Sequence, residues 1–146
     1  MPRQYELLIF DWDGTLMDSA GFIVDSIESR LESFRASLAS SSVSEIFHDP
    51  IQRTRVVFLS LPGASAALEL IEPAAEDSPV AQFLAKGGGL HHLCYEVDDL
   101  DAEIARLKQQ RAILIRSPKP AVAFAGRRIA WLRTRDALLL ELLARA

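Results

Sequence analysis

The sequence predicts an α+β fold built from two copies of one unit, strand–helix–strand–strand–strand, and three observations carry that prediction. First, the chain matches itself in order. Gly21-Phe22-Ile23-Val24-Asp25-Ser26-Ile27 parallels Cys94-Tyr95-Glu96-Val97-Asp98-Asp99-Leu100, and Arg55-Val56-Val57-Phe58-Leu59 parallels Arg128-Ile129-Ala130-Trp131-Leu132, both at an offset of 73 residues. Leu68-Glu69-Leu70 matches Leu140-Glu141-Leu142 at 72, one deletion away. Second, one segment in each half places apolar residues at helical spacing, Ile27, Leu31, Phe34 and Leu38 in the first and Leu100, Ile104 and Leu107 in the second. Third, the other apolar runs are short and bounded by turn-forming residues, as strands are. Ordered matches with the same element types in each half make duplication the better explanation.

Taken in order, Tyr5 to Phe10 reads as a buried strand ending in the polar turn Asp11 to Ser19, and Gly21 to Val24 reads as a second. Either can be the first strand of the sheet. A helix follows over about 26–38. Asp25 and Glu28 have the spacing of an Asp-type capping box at its start, and a rival reading carries the helix back to Ala20 because Ile23 joins its stripe. Val43 to Phe47 alternates like a strand and His48-Asp49-Pro50 stops it, which makes His48 a loop or cavity-rim residue. Arg53 to Ser60 is a strand, Pro62-Gly63 a turn, and Ala66 to Ile71 the returning strand. Ser78 to Leu84 is a short helix with proline near its start. After the glycines 87–89, a strand opens with His91 and His92, and Asp98 or Asp99 caps the next helix. Ala112 to Arg116 is a strand, Pro118-Lys119-Pro120 a stiff break, and Arg128 to Leu132 and Ala137 to Leu143 the last two strands. The organisation is an N-terminal segment 1–19, a first module 20–73, a linker with a short helix 74–90, and a second module 91–146.

Composition narrows the function classes. Hydrophobic residues at 49% and charged residues at 25% describe an ordinary soluble domain. A net charge of −4 argues against a nucleic-acid surface. The basic pairs Arg127-Arg128 and Arg133/Arg135 read as a solvated edge or an anionic-ligand contact. A single cysteine, Cys94, permits no intrachain disulfide and suits a reducing cytoplasm. No apolar run approaches the roughly 20 residues of a membrane span, and the acidic N-terminus is not built like a signal peptide. The expectation is a cytoplasmic protein with neither membrane nor nucleic-acid partner.

The repeat also picks out candidate chemistry. Glu69 and Glu141 hold equivalent places, each a lone carboxylate inside an apolar strand. A buried carboxylate without a partner is costly, so each faces solvent, a polar cavity or a metal. His92, Cys94 and Glu96 share one face of their strand by alternation, and His91 then points the other way. On that reading only one histidine of the pair, His92, belongs to an interior site. Imidazole and carboxylates are standard ligands for divalent metals.

From Ile27 to the C-terminus the chain resembles the vicinal oxygen chelate superfamily, which includes glyoxalase I, methylmalonyl-CoA epimerase and bleomycin-resistance proteins. The resemblance rests on Leu68-Glu69-Leu70-Ile71-Glu72-Pro73, Glu76-Asp77-Ser78-Pro79-Val80, Gly89 through Asp99, Gly126-Arg127-Arg128 and Leu140-Glu141-Leu142, and is strongest to the epimerase-like branch. It implies two βαβββ modules forming a curved mixed sheet that cups a metal and ligand cavity. Carried over by position, the metal ligands are His92, Glu141 and Glu69. The family's fourth ligand, a histidine two residues before the glycine of the first strand, falls on Ser19, and a serine hydroxyl is a poor replacement for imidazole.

The implied cofactor is a divalent ion, Co, Ni, Mn or Zn. The implied chemistry is proton transfer next to a carbonyl, with Glu141 and Glu69 as ligand or base. The substrate class is a small anionic carbonyl or thioester compound, whose charge Arg127, Arg128 or Lys119 can meet. A homodimer is a further expectation from the resemblance. The loop Ala121 to Gly126 is more apolar than its counterpart in epimerases, which argues against methylmalonyl-CoA itself. A non-catalytic binding protein on the same fold is the alternative, favoured if Ser19 leaves the metal site incomplete.

A second resemblance is local. Leu8-Ile9-Phe10-Asp11-Trp12-Asp13-Gly14-Thr15-Leu16-Met17-Asp18-Ser19 resembles the first motif of haloacid-dehalogenase-type phosphatases, in which residues matching Asp11 and Asp13 are nucleophile and general acid/base and help hold Mg²⁺. The rest of a phosphatase is absent. The chain therefore reads as a fusion in which a phosphatase start replaces the first strand of an epimerase-like domain, with phosphatase activity not expected.

Overall fold

A computed structural model describes residues 16–40, 42–60 and 62–146. Asp11, Asp13 and the alternative strand Tyr5–Phe10 lie outside the described residues. Eight strands, β1 (Leu16–Ile23), β2 (Phe47–Asp49), β3 (Thr54–Ser60), β4 (Ala67–Pro73), β5 (Gly89–Val97), β6 (Ile113–Pro120), β7 (Arg128–Arg133) and β8 (Leu139–Ala144), form one sheet in the order β2-β3-β4-β1-β5-β8-β7-β6. The helices are α1 (Ile27–Leu38), α2 (Ala81–Ala85) and α3 (Leu100–Gln109).

The sheet order reads as two mirrored halves joined through β1 and β5. In each half the first strand runs parallel to the last, β1 with β4 and β5 with β8. The register confirms the repeat residue by residue. Gly21 stands opposite Glu69 and Cys94 opposite Glu141, so the matched positions make matched pairs. The α+β class and the paired-module architecture are as the sequence predicts.

Each half buries one face of its strands under its own helix. Val57, Leu59 and Leu70 pack with Ile27 of α1, and Ala130, Leu132, Leu140 and Leu142 pack with Leu100, Ile104 and Leu107 of α3. The other face is apolar too, with Ile23, Val56 and Ile71 in one half and Ile129 and Leu143 in the other. Strands covered on both faces lose the polar alternation that marks a half-exposed strand, which explains the unbroken run Val56-Val57-Phe58-Leu59.

Several local expectations are corrected. β1 occupies 16–23, which rules out a helix reaching back to Ala20. The N-cap of α1 is Ser26, whose Oγ accepts from the Ser29 N–H at 3.2 Å; Asp25 binds the Ser26 N–H and Arg30, and Glu28 reaches across to Arg55. The capping box is thus spent on tertiary ion pairs. Val43 makes one isolated bridge to Leu59, and the strand lies later, at Phe47–Asp49, so His48 is an exposed strand residue. Pro118-Lys119-Pro120 does not break the chain but continues β6. β6 is the sheet's edge, where proline's missing N–H costs no ladder bond, and two register shifts against β7 absorb its irregularity.

Candidate active site

Four polar residues are buried where the two halves meet. Ser19, Glu69, His92 and Glu141 are 0%, 5%, 2% and 3% exposed. Their strands explain the convergence. Ser19 and Gly21 of β1 pair with Cys94 and His92 of β5, while Glu69 of β4 and Glu141 of β8 flank them as register partners of Gly21 and Cys94. The helix-covered face is filled by Leu68, Leu70, Leu140 and Leu142, so alternation sends both glutamates to the opposite face. The open choice between solvent and cavity is therefore decided for the cavity, which Glu69, His92 and Glu141 line together.

His92 Nε2 and Glu69 Oε2 stand 3.3 Å apart, but neither closes a well-aligned hydrogen bond. Ser19 Oγ and Glu141 Oε1 are likewise buried and unpartnered. Leaving a buried polar atom unpaired costs about 1–3 kcal/mol. Ser19 Oγ and Glu141 Oε1 beside the poorly aligned His92–Glu69 pair mark a place built for a polar occupant. Burial pushes the Glu141 carboxyl up to about 8, with His92 opposing and Glu69 adding to the rise. Burial works against charging His92, yet Glu69 and Glu141 outweigh it and raise its pKa. Burial also pushes up the Cys94 thiol, which lies against Glu141.

Two bulges complete the site, and they occupy equivalent places in the repeat. The β1–β5 ladder slips at Asp18 and again at His91. A bulge lets neighbouring residues reach the same side of a strand. Both His91 and His92 consequently line the cavity, which corrects the expectation that His91 faces away. Their Nδ1 atoms are 3.0 Å apart, so the His92 ring is held from one nitrogen while Nε2 faces the glutamates. Trp131 packs edge-on against His92 at 4.6 Å and Phe83 against His91 at 4.9 Å. Burial and the neighbouring His92 lower the His91 pKa to about 4. Asp18 is half-buried beside Ser19, its carboxyl raised by burial and by Glu96.

The donor set suits a divalent ion: one imidazole with its second nitrogen supported, and two carboxylates with free buried oxygens. The side chains rest on one another, Glu69 on His92 and Glu141 on Cys94, and among the described residues no three His, Cys, Asp or Glu are gathered at ligand spacing. Glu69 already stands 3.3 Å from His92 Nε2, and holding an ion requires Glu141 to turn toward the same point.

The arginines named from the sequence lie elsewhere. Arg127 is held by Glu96 at 2.7 Å and by the Ala144 carbonyl, and Arg128 by Asp101 at 3.2 Å. Glu96 shares the strand parity of His92 and Cys94 but is tied to Arg127 and Arg145 and does not line the cavity. The cationic residues that line it are Arg116 and Arg133. Only Arg133 carried a prior signal, its place in a basic pair.

Comparison with known proteins identifies the family. Residues 18–131 match the model of the glyoxalase/bleomycin resistance protein/dioxygenase superfamily. The chain belongs to that superfamily. It is 32% identical over 122 residues to the ethylmalonyl-CoA/methylmalonyl-CoA epimerase of Cereibacter sphaeroides, covering 82% of this chain and 89% of that one. Its fold matches the crystal structure of methylmalonyl-CoA epimerase from Mycobacterium tuberculosis with a TM-score of 0.78 and 29% identity, over 89% and 87% of the two chains. It also matches a variant of Streptomyces coelicolor methylmalonyl-CoA epimerase solved with 2-nitronate-propionyl-CoA, TM-score 0.69 and 29% identity, over 89% and 96%. Among the described residues no helix is long and apolar enough to cross a membrane.

Proposed function

We propose that this superfamily member is a divalent-metal-dependent isomerase of CoA thioesters, moving a proton on the carbon next to the thioester carbonyl. The observation that carries the reading is the buried junction of His92, Glu69 and Glu141, with no well-aligned hydrogen bond closing His92 Nε2, Glu69 Oε2 or Glu141 Oε1, lining one cavity. These three residues would hold the ion, which supplies a positive charge for the oxygen of the developing enolate. His91 orients the His92 ring through Nδ1. Trp131, Val56 and Ile71 keep the cavity wall apolar and strengthen every charge interaction inside it. Glu141 and Glu69, the two buried carboxylates at the junction, are the groups placed to move the proton, whichever of them is not engaged with the ion. Relatives named as acting on CoA thioesters of this type support the substrate class.

The test is deuterium exchange next to the carbonyl of an acyl-CoA in D₂O, with metal content measured on the same samples. The expected result is exchange that requires Co²⁺, Ni²⁺, Mn²⁺ or Zn²⁺ and disappears in His92→Ala and Glu141→Gln. A protein that stays metal-free at saturating ion would sink the reading.

One observation favours a second reading. Ser19 occupies the position equivalent to His92, completely buried with its hydroxyl unpartnered, so the junction has one imidazole where the repeat offers two places. On that reading the cavity binds a small molecule without catalysis, as in bleomycin-resistance proteins, and ligand binding persists without exchange. Phosphatase chemistry at Asp11 and Asp13 would show as p-nitrophenyl phosphate hydrolysis lost in Asp11→Asn.

A further inference from the structure

Twelve arginines lie among the described residues, and eight of them are held by carboxylates. Arg116 and Arg133 are not, and both line the cavity that holds His92, Glu69 and Glu141. Their placement follows from the sheet. Arg116, Trp131 and Glu141 are register partners in turn across β6, β7 and β8, and a register shift at Ile115 brings Ile115 and Arg116 together onto the cavity. Arg133 ends β7 beside Ile113 and Leu139. Two strand spacings, roughly 10 Å, therefore separate the backbone of Arg116 from that of Glu141, with the Trp131 ring on the strand between. The cavity has a buried acidic and imidazole floor, an apolar middle and a guanidinium rim.

The geometry points to Arg116 and Arg133 as a seat for a second carboxylate carried by the acyl group of the substrate, separated from the reacting carbonyl by a short methylene spacer. Planar guanidinium groups bind carboxylates through paired hydrogen bonds, and two such groups on a single wall meet no carboxylate among the described residues. The phosphates of a CoA carrier are the other anionic source. They lie at the far end of the long pantetheine arm, whereas these arginines share one cavity with the reacting end. The apolar middle suits methylenes and disfavours a carboxylate placed directly on the reacting carbon. The inference rests on the proposed function only in taking this cavity as the acyl site.

Isothermal calorimetry on the whole protein tests it with glutarate, with valerate as the chain of equal length lacking the second carboxylate, and with 3′,5′-ADP as the carrier's phosphate end. Glutarate should bind more tightly than valerate. Arg116→Gln and Arg133→Gln should each weaken glutarate about tenfold or more, while Arg135→Gln, off the cavity, leaves it unchanged. Both target residues are partly or fully exposed, so unchanged melting temperatures certify folding. Glutarate affinity untouched by either substitution overturns the seat. Substitutions that weaken only 3′,5′-ADP overturn it in favour of the carrier. Calorimetry needs no turnover, so absent proton exchange sinks the proposed reaction while leaving this seat standing.

Discussion

Gly21 and His92 face each other across the β1–β5 ladder, and the imidazole of His92 fills the space that a side chain at position 21 would take. A Cβ there would lie 2.0 Å from His92 Cε1 and 2.4 Å from Nδ1. The glycine is required for room, not for an unusual backbone angle. In the other half of the repeat the corresponding pair is Cys94 with Ser19. One half packs a large ring over a glycine, and the other packs two small side chains.

Gly21→Ala should therefore cost about 1–3 kcal/mol by overpacking and displace His92 from the junction. Denaturant melts should show the loss, and metal titration should show weakened binding. In a His92→Ala background the same substitution should cost much less, because the clash is with that ring. Equal costs in both backgrounds would refute the pairing.

His91→Ala should weaken metal binding about 10–100-fold, the usual effect of losing a group that orients a ligand imidazole. The readout is Co²⁺ affinity by spectroscopic titration. Because His91 also packs on Phe83, His91→Gln separates the roles: a side chain able to hold Nδ1 should recover part of the affinity.

Ser19→His supplies the imidazole that the repeat offers at this position. Metal affinity should rise about tenfold or more, worth roughly 1.4 kcal/mol or above. The new ring stands opposite Cys94 rather than a glycine, so the metal-free variant should melt lower and regain stability when the ion is added. A variant that melts lower and binds no tighter would show that position 19 does not reach the ion.

The pH dependence of metal-free stability has a definite sign. Glu141 is raised from 4.5 to about 8, so its contribution is complete below 4.5 and is lost as pH rises through 8. His91 is lowered from 6.5 to about 4, so its contribution is complete above 6.5 and is lost as pH falls through 4. The two oppose each other between about 4.5 and 6.5. Above 6.5 the Glu141 effect stands without that opposition, and the raised pKa of His92 acts in the same direction. Stability should fall between pH 6.5 and 8, by up to about 1.4 kcal/mol per pH unit from Glu141. Glu141→Gln should flatten that slope in urea melts, and bound metal, which displaces protons, should reverse it.

Much of this was legible in the chain itself. The repeat offset places Glu69 with Glu141 and Ser19 with His92, because a duplicated unit folds into duplicated positions and the strand registers follow. The helical stripes on Ile27 and Leu100 survived because each has one apolar face to bury, which imprints its period on the sequence. The cap of α1 is not legible in the sequence, because Asp25 and Glu28 have the right spacing for a local box but find better partners in Arg30 and Arg55, and Arg55 is distant in sequence.

The two-module α+β fold, the family resemblance and the residue types available for a metal are written in the chain. Tertiary structure decided which way they face. Alternation assigns parity along a regular strand, but one bulged residue reverses it, and nothing in Gly-Leu-His-His announces the bulge that brings His91 to the cavity. Covering both faces of the sheet decided that Glu69 and Glu141 look inward. Ion pairing across elements took Arg127 and Arg128 out of play, and the edge position of β6 brought Arg116 in. These outcomes depend on contacts between residues far apart in the chain, where local propensity carries no information.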